Sequence, residues 1–268
     1  MDIHSKTRKT RKAFPWLLGL ILVGLLKPAA SSMAAVVVLD RITSQDTPVW
    51  LTVVTKGMLF AQGGQRVDVT VDNQALGRIL TGGDGYGYLK YTPQRTGLLR
   101  IEARSNSDSA SGLLLVTAPE DKVILIGMEG SFKNALFSAQ AKSEAKKAIE
   151  TLAKTFKIVY LSKLAGKRMA SFWLQQEEFP DSVVLRWSGS ELLKSLTKKG
   201  ITLHAIVASP DILSDSVKYV ERRFSFEETD DGQTVGDWAE IIQLLKPQED
   251  VHDVQPPERS LLPWPYSP

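Results

Sequence analysis

The 268-residue chain has no cysteine and only three histidines. Without cysteine there is no disulfide and no thiolate-bound metal, so packing and hydrogen bonds alone must hold the fold. Beyond residue 34 only His204 and His252 remain, too few for a His-rich metal site or a Ser-His-Asp set. His204 lies in an apolar run and reads as a packed side chain. Long hydrophobic stretches are also scarce. The stretch Trp16 to Leu26 is about half the ~20 residues that a membrane-spanning helix requires. Charge of one sign is lacking too, once its placement is considered. Six of the 33 basic residues but only one of the 30 acidic ones fall in the first 34 positions, so the remainder is slightly acidic. The basic balance therefore gives no footprint for nucleic acid, which requires clustered Lys and Arg on the folded part.

What is present at the N-terminus has a recognised layout. Lys6, Arg8, Lys9, Arg11 and Lys12 precede the apolar stretch, and the small-residue run from Ala29 to Ala35 follows it. This is the pattern of a secretory signal peptide over residues 1–34, with cleavage expected after Ala34. It predicts a periplasmic or secreted protein that meets a membrane only if the segment stays uncleaved. The whole chain is 43% hydrophobic and 24% charged, the balance of a folded protein, and it is long enough for two domains.

Residues 35–118 alternate at period two between turn signals. Val67–Val71 and Leu99–Ala103 place apolar side chains on one face, and Gly63-Gly64, Gly82–Gly85 and Asn106–Ser109 supply turns. Six or seven such strands predict an antiparallel β-sandwich. The stretch Asp84-Gly-Tyr-Gly-Tyr-Leu-Lys-Tyr-Thr-Pro93, followed by Gly97-Leu-Leu-Arg-Ile-Glu-Ala103, resembles the second half of bacterial immunoglobulin-like modules. Tyr86, Tyr88 and Tyr91 read either as a binding stripe or as edge packing.

After Thr117–Asp121 the periodicity changes. Apolar runs at 123–126, 157–161, 183–187, 201–208 and 224–226 alternate with helical patterns near 141–156, 165–176, 189–199, 210–220 and 235–245. This alternation over residues 119–246 predicts a three-layer α/β unit, a parallel sheet with helices on both faces. Ligands of such sheets meet the carboxyl ends of the strands. Those ends carry Gly127–Ser131, Ser162, Ser188-Gly189 and Ser209–Asp215.

In that order the motifs resemble the haloacid dehalogenase (HAD)-like phosphohydrolase superfamily. Its first strand ends in Asp-x-Asp-Gly-Thr, where this chain has Gly127-Met-Glu-Gly-Ser131. Ser162 matches the hydroxyl residue after the second strand, Lys194, Lys198 and Lys199 are candidates for the lysine before the fourth, and Asp211 and Asp215 keep the late acidic spacing. The run Lys167–Leu174 with Phe179-Pro180 and Val183–Trp187 gives a lipin-like flavour. The resemblance implies a Rossmannoid fold, an aspartate nucleophile, a second acid as acid/base, and magnesium held between the first motif and the late Asp.

The departures fall on that chemistry. Gly127 occupies the nucleophile position and has no side chain, so an attacking oxygen and a metal ligand are both missing. Glu129 remains as a residual acid/base, while Gly130, Ser131, Ser162, Lys194 and Lys198 remain to hold phosphate, and Asp211 and Asp215 to hold a weakened or lost magnesium site. The same residues also read without chemistry: Gly127 as a turn, Asp211 and Asp215 as acids at a helix start, and Lys198-Lys199 as a helix C-terminus. Three functions stay open. These are a non-catalytic binding or assembly protein with a degenerate phosphatase site, an active magnesium-dependent phosphatase for a phosphate ester or phospholipid, and an envelope scaffold acting through its sandwich and tail. The expected partners are a phosphate-bearing ligand and an envelope protein. Residues 247–268, with Leu262-Pro-Trp-Pro-Tyr-Ser-Pro268, are proline-rich and predict an extended or disordered tail.

Overall fold

A computed structural model of the chain describes residues 35–57, 61–106, 108–132 and 139–246. Residues 1–34, expected from the sequence to be an export signal, and the proline-rich stretch 247–268 lie outside the described residues.

The first part is a β-sandwich of eight strands. β1 (Ala35–Leu39), β3 (Val49–Lys56) and β6 (Tyr86–Tyr91) form one antiparallel sheet. The other runs in the order β2 (Arg41–Ser44), β8 (Asp108–Thr117), β7 (Gly97–Ser105), β4 (Arg66–Val71), β5 (Gln74–Leu80). It is antiparallel except where β2 runs parallel to β8. The alternation read from the sequence sets the faces: Val67, Val69, Val71, Leu99, Ile101 and Ala103 turn inward onto Leu51 and Val53. The strand count exceeds the expected six or seven because the stretch from Ala35 to Ser44 bends at Asp40 and serves both sheets.

The second part begins at β9 (Lys122–Gly127). A single parallel sheet has the order β11 (Val184–Arg186), β10 (Lys157–Ser162), β9, β12 (Thr202–Val207), β13 (Arg222–Ser225), β14 (Gln233–Thr234). Counted from β9, this is 3-2-1-4-5-6, the doubly wound order. The helices are α1 (Met128–Ser131), α2 (Ala139–Leu152), α3 (Lys167–Gln176), α4 (Ser190–Lys198), α5 (Pro210–Ser216) and α6 (Trp238–Leu245).

Every residue of β9 from Val123 to Gly127 is buried, as a central strand covered on both faces must be. Ile124 and Ile126 face a core with α2, α3 and α6, while Val123 and Leu125 face α4 and α5. Ile42 and Leu115 of the sandwich belong to that second core, so the two parts share apolar packing. Tyr160 is fully buried, and its hydroxyl donates to the Pro180 carbonyl at 3.0 Å. Burial pushes its pKa well up, and the phenol stays protonated. Among the described residues no helix is long and apolar enough to cross a membrane.

Candidate functional site

The sheet order reverses between β9 and β12, and the crevice at such a switch point is where doubly wound sheets place ligands. Here the two strand ends lie against one another. A Cβ built on Gly127 would stand 2.9 Å from the Ala208 Cβ, and one on Gly130 would stand 2.3 Å from the Ser209 amide nitrogen. The glycines are therefore required by close approach of the β12–α5 loop. The Ser131 hydroxyl, buried, donates to the Val207 carbonyl at 2.8 Å and ties α1 to the end of β12.

On the other side of α1, Glu129 reaches the β10–α3 loop. Its Oε1 accepts from the Ser162 hydroxyl at 3.0 Å and from the backbone N–H groups of Lys163, Leu164 and Ala165 at 2.9, 2.8 and 3.3 Å. Successive N–H groups aimed at one point make a cradle for an anion. In this chain the anion is the protein's own carboxylate. Burial pushes the Glu129 pKa up, but the N–H groups of Leu164 and Lys163 and the Ser162 hydroxyl outweigh it and hold the group below the ordinary carboxylate range. At neutral pH Glu129 is ionised, a hydrogen-bond acceptor with no proton to give. Its second oxygen, Oε2, is buried without a hydrogen-bond partner. Ser162 also lies 2.7 Å from the Ala165 carbonyl, so its one proton is shared between two acceptors within the same loop.

Lys163, which no motif of the sequence singled out, supplies the cation. Its ammonium pairs with Asp211, whose other oxygen accepts from the Ser209 hydroxyl at 2.6 Å. The pair holds the Asp211 carboxyl low and raises the Lys163 pKa, with the charges of Asp215 and Glu129 adding to the latter. A Ser-Lys dipeptide at the end of β10, facing an acidic turn across the crevice, is the signal that would have found it.

Of the remaining candidates, Asp215 acts on this cluster through its charge on Lys163, and the others lie apart. Asp215 is exposed and sits near Gly189, where a Cβ would come 3.6 Å from its carboxylate. Lys194 pairs with Glu191 on its own helix at 3.1 Å. Lys198 ends α4, and the chain then enters β12 at Thr202, so it occupies the edge of the sheet opposite to Glu129. His204 stacks on Phe156 with ring centres 5.0 Å apart, and burial together with Arg222 and Lys122 lowers its pKa, as suits a packed neutral ring.

These residues do not fit a magnesium ion. Gly127 offers no side-chain oxygen, Asp211 is already neutralised by Lys163, and among the described residues no three His, Cys, Asp or Glu gather into a set that could hold a metal.

No family model matches the chain, and no curated protein matches it. Solved structures match in part. A CARDB domain from Pyrococcus furiosus, in complex with di-metal ions, is 16% identical over 31% of this chain and 89% of that chain, with a TM-score of 0.24. Fibronectin(III)-like modules of Clostridium thermocellum CbhA are 16% identical over 31% and 97%, with a TM-score of 0.24. Titin domain M7 is 18% identical over 32% and 94%, with a TM-score of 0.23. These neighbours are immunoglobulin-like and fibronectin-like β-sandwich domains. At TM-scores of this size they assign no function.

Proposed function

We propose that the chain is an exported two-part protein in which an immunoglobulin-like sandwich carries a HAD-like α/β unit retired from phosphoryl transfer, acting through binding or assembly. The observation that carries this reading is the internal occupancy of the anion cradle. The donors best placed to hold a phosphate, the Ser162 hydroxyl and the N–H groups of residues 163–165, converge on Glu129 instead. A nucleophile is missing at Gly127, Glu129 holds no proton for a leaving group, and Lys163 stands against Asp211 where a metal would have to bind. Each loss alone would reduce turnover by orders of magnitude. The doubly wound sheet and the short helix that follows β9 support descent from a working site.

The test is an assay of the purified protein on a panel of phosphate mono- and diesters with and without magnesium. The expected result is no release of phosphate above the buffer rate in either condition. Magnesium-dependent turnover that is lost in Glu129→Gln would sink the proposal.

A further inference from the structure

A second cavity, unconnected with the strand-end crevice, opens where the sandwich meets the N-terminal edge of the parallel sheet. Its volume is about 520 Å³, and its lining includes Arg41, Trp50, Thr52, Tyr88 and Lys199, with no acidic residue. Two strands supply the aromatic wall. In the β3–β6 ladder Thr52 faces Tyr88 and Trp50 faces Lys90, so Trp50 and Tyr88 are diagonal neighbours on the solvent side of the sheet. They are 57% and 54% exposed, large values for such side chains. Tyr86 extends the wall, stacked on Tyr88 with ring centres 6.3 Å apart and planes 15° from parallel.

Two half-buried cations form the floor. Arg41 donates to the Trp50 carbonyl at 3.2 Å and to the Thr52 hydroxyl at 2.7 Å. Lys199 donates to the Ile42 carbonyl at 3.2 Å. Neither has a carboxylate partner among the described residues. The neighbouring Asp40 is committed elsewhere, to Lys167 and to the N–H groups of Leu113 and Val184. Burial lowers the pKa of both groups, aided at Lys199 by the facing Arg41 charge and partly opposed at Arg41 by Tyr88 and Asp40. Two like charges held together in a partly desolvated pocket destabilise the empty protein, and an entering anion would relieve that cost.

We propose that this pocket binds an acidic oligosaccharide, with a uronate carboxylate meeting Arg41 and Lys199 while successive sugar rings lie on Trp50, Tyr88 and Tyr86. Arginine presents a planar fork that matches a carboxylate, and the hydroxyl of the exposed Tyr88 offers a partner for a sugar hydroxyl. The stacked Tyr86 carries the platform beyond the space of one ring, which suits an oligomer better than a free acid. A phosphate-rich membrane surface fits less well. The cations are recessed beneath the aromatics, so a flat anionic surface would reach Trp50 and Tyr88 long before it reached Arg41.

The experiment is isothermal titration of the purified full-length chain with three probes: tri-galacturonate, its methyl ester and inorganic phosphate. Sedimentation with phosphatidylglycerol vesicles runs beside it. Tri-galacturonate is expected to bind, the ester to bind about tenfold or more weakly, and Lys199→Gln and Tyr88→Ala each to weaken tri-galacturonate binding by about the same factor. Arg41→Gln should abolish it. Because Arg41 also holds Thr52, the Lys199 and Tyr88 variants, checked for an unchanged far-ultraviolet spectrum, carry the decision. The proposal is overturned by no binding at millimolar sugar, by equal binding of the ester or of phosphate, or by variants that bind as the parent does. Vesicle capture lost in Trp50→Ala with no sugar binding would likewise overturn it and reassign the surface to lipid.

Discussion

Replacing the Glu129 carboxylate by an amide preserves its length but removes the charge at which four donors point. Hydrogen bonds to a charged group contribute about 1.5–3 kcal/mol where they are well buried, and solvent near this crevice reduces that. Glu129→Gln is therefore expected to lower stability by about 1–2 kcal/mol at pH 7 in denaturant melts. The pH dependence follows from the direction of its shift. Glu129 is held below its ordinary value of 4.5, so its contribution is fully present above pH 4.5 and is lost as pH falls through the lower folded value. The difference between parent and variant should close in that acidic window, and a difference that persists unchanged there would refute the ionised assignment. Gly127 yields a second prediction. Placing an aspartate there by Gly127→Asp brings its first carbon to 2.9 Å from the Ala208 methyl and 3.3 Å from its Cα, neither of which can swing aside. Overpacking of this kind costs about 1–3 kcal/mol. Gly127→Ala should show that cost in urea melts, and the cost should shrink in an Ala208→Gly background, a coupling that a double-mutant cycle measures directly. Any attempt to place a side chain larger than glycine at this strand end has to begin from that second substitution.

At the level of elements, the α1 turn is held by its last neighbour rather than by its own length. Four residues cannot sustain a helix alone, and Phe132 provides what is missing. It is 1% exposed and meets Tyr160, Trp173, Phe179 and Trp238 with ring centres 4.9 to 6.4 Å apart, so the turn is pinned to β10, α3 and α6 at once. Phe132→Ala is expected to cost about 3–5 kcal/mol and to expose amides 128–131 to hydrogen exchange ahead of the rest of the sheet. An unfolding curve that matches the parent's would show that the aromatic cluster does not hold the turn. The elements themselves were largely legible. The alternation at Val67–Val71, the continuous apolar run Val123–Ile126 and the helical spacing of Ala145, Ala148, Ile149 and Leu152 report burial, and burial is what those patterns encode. The ends were less so: α5 stops at Ser216 and α6 starts at Trp238, where local capping decides. Asp237 caps α6 by accepting from the Glu240 amide at 2.9 Å. Pairings across long sequence distances left no local mark. Nothing near Glu129 announces that its carboxylate turns back into the β10 loop, nor does Ser162 announce that its neighbour Lys163 reaches across to Asp211. The aromatic stripe was half legible. Tyr86 and Tyr88 share the solvent face, whereas Tyr91, at odd spacing, turns toward the sandwich core.

The whole molecule depends on one residue that no motif singles out. Asp40 stands at the bend between β1 and β2 and is 1% exposed in its side chain. One oxygen accepts from the Leu113 amide of β8 at 2.8 Å and pairs with the Lys167 ammonium of α3 at 2.9 Å, while the other accepts from the Val184 amide of β11 at 2.9 Å. Lys167 in turn donates to the Val38 carbonyl at 2.9 Å. A single carboxylate thus satisfies groups from both parts, in addition to the apolar contact of Ile42 and Leu115 with the second core of the parallel sheet. Removing one member of a buried pair leaves an uncompensated charge and costs about 3–5 kcal/mol. In Asp40→Ala the stranded groups are Lys167 and two backbone amides, and all of them lie on the junction. The loss should therefore fall on coupling between the parts before it falls on either core. Calorimetry is expected to resolve the parent's unfolding as one transition and the variant's as two, with the proteolytically sensitive segment near 118–121. A single transition lowered as a block would mean that the shared apolar packing alone makes the two parts one cooperative unit. Because Arg41 adjoins Asp40 and carries the floor of the aromatic pocket, loosening this bend should also weaken tri-galacturonate binding, although no residue of the pocket has been changed.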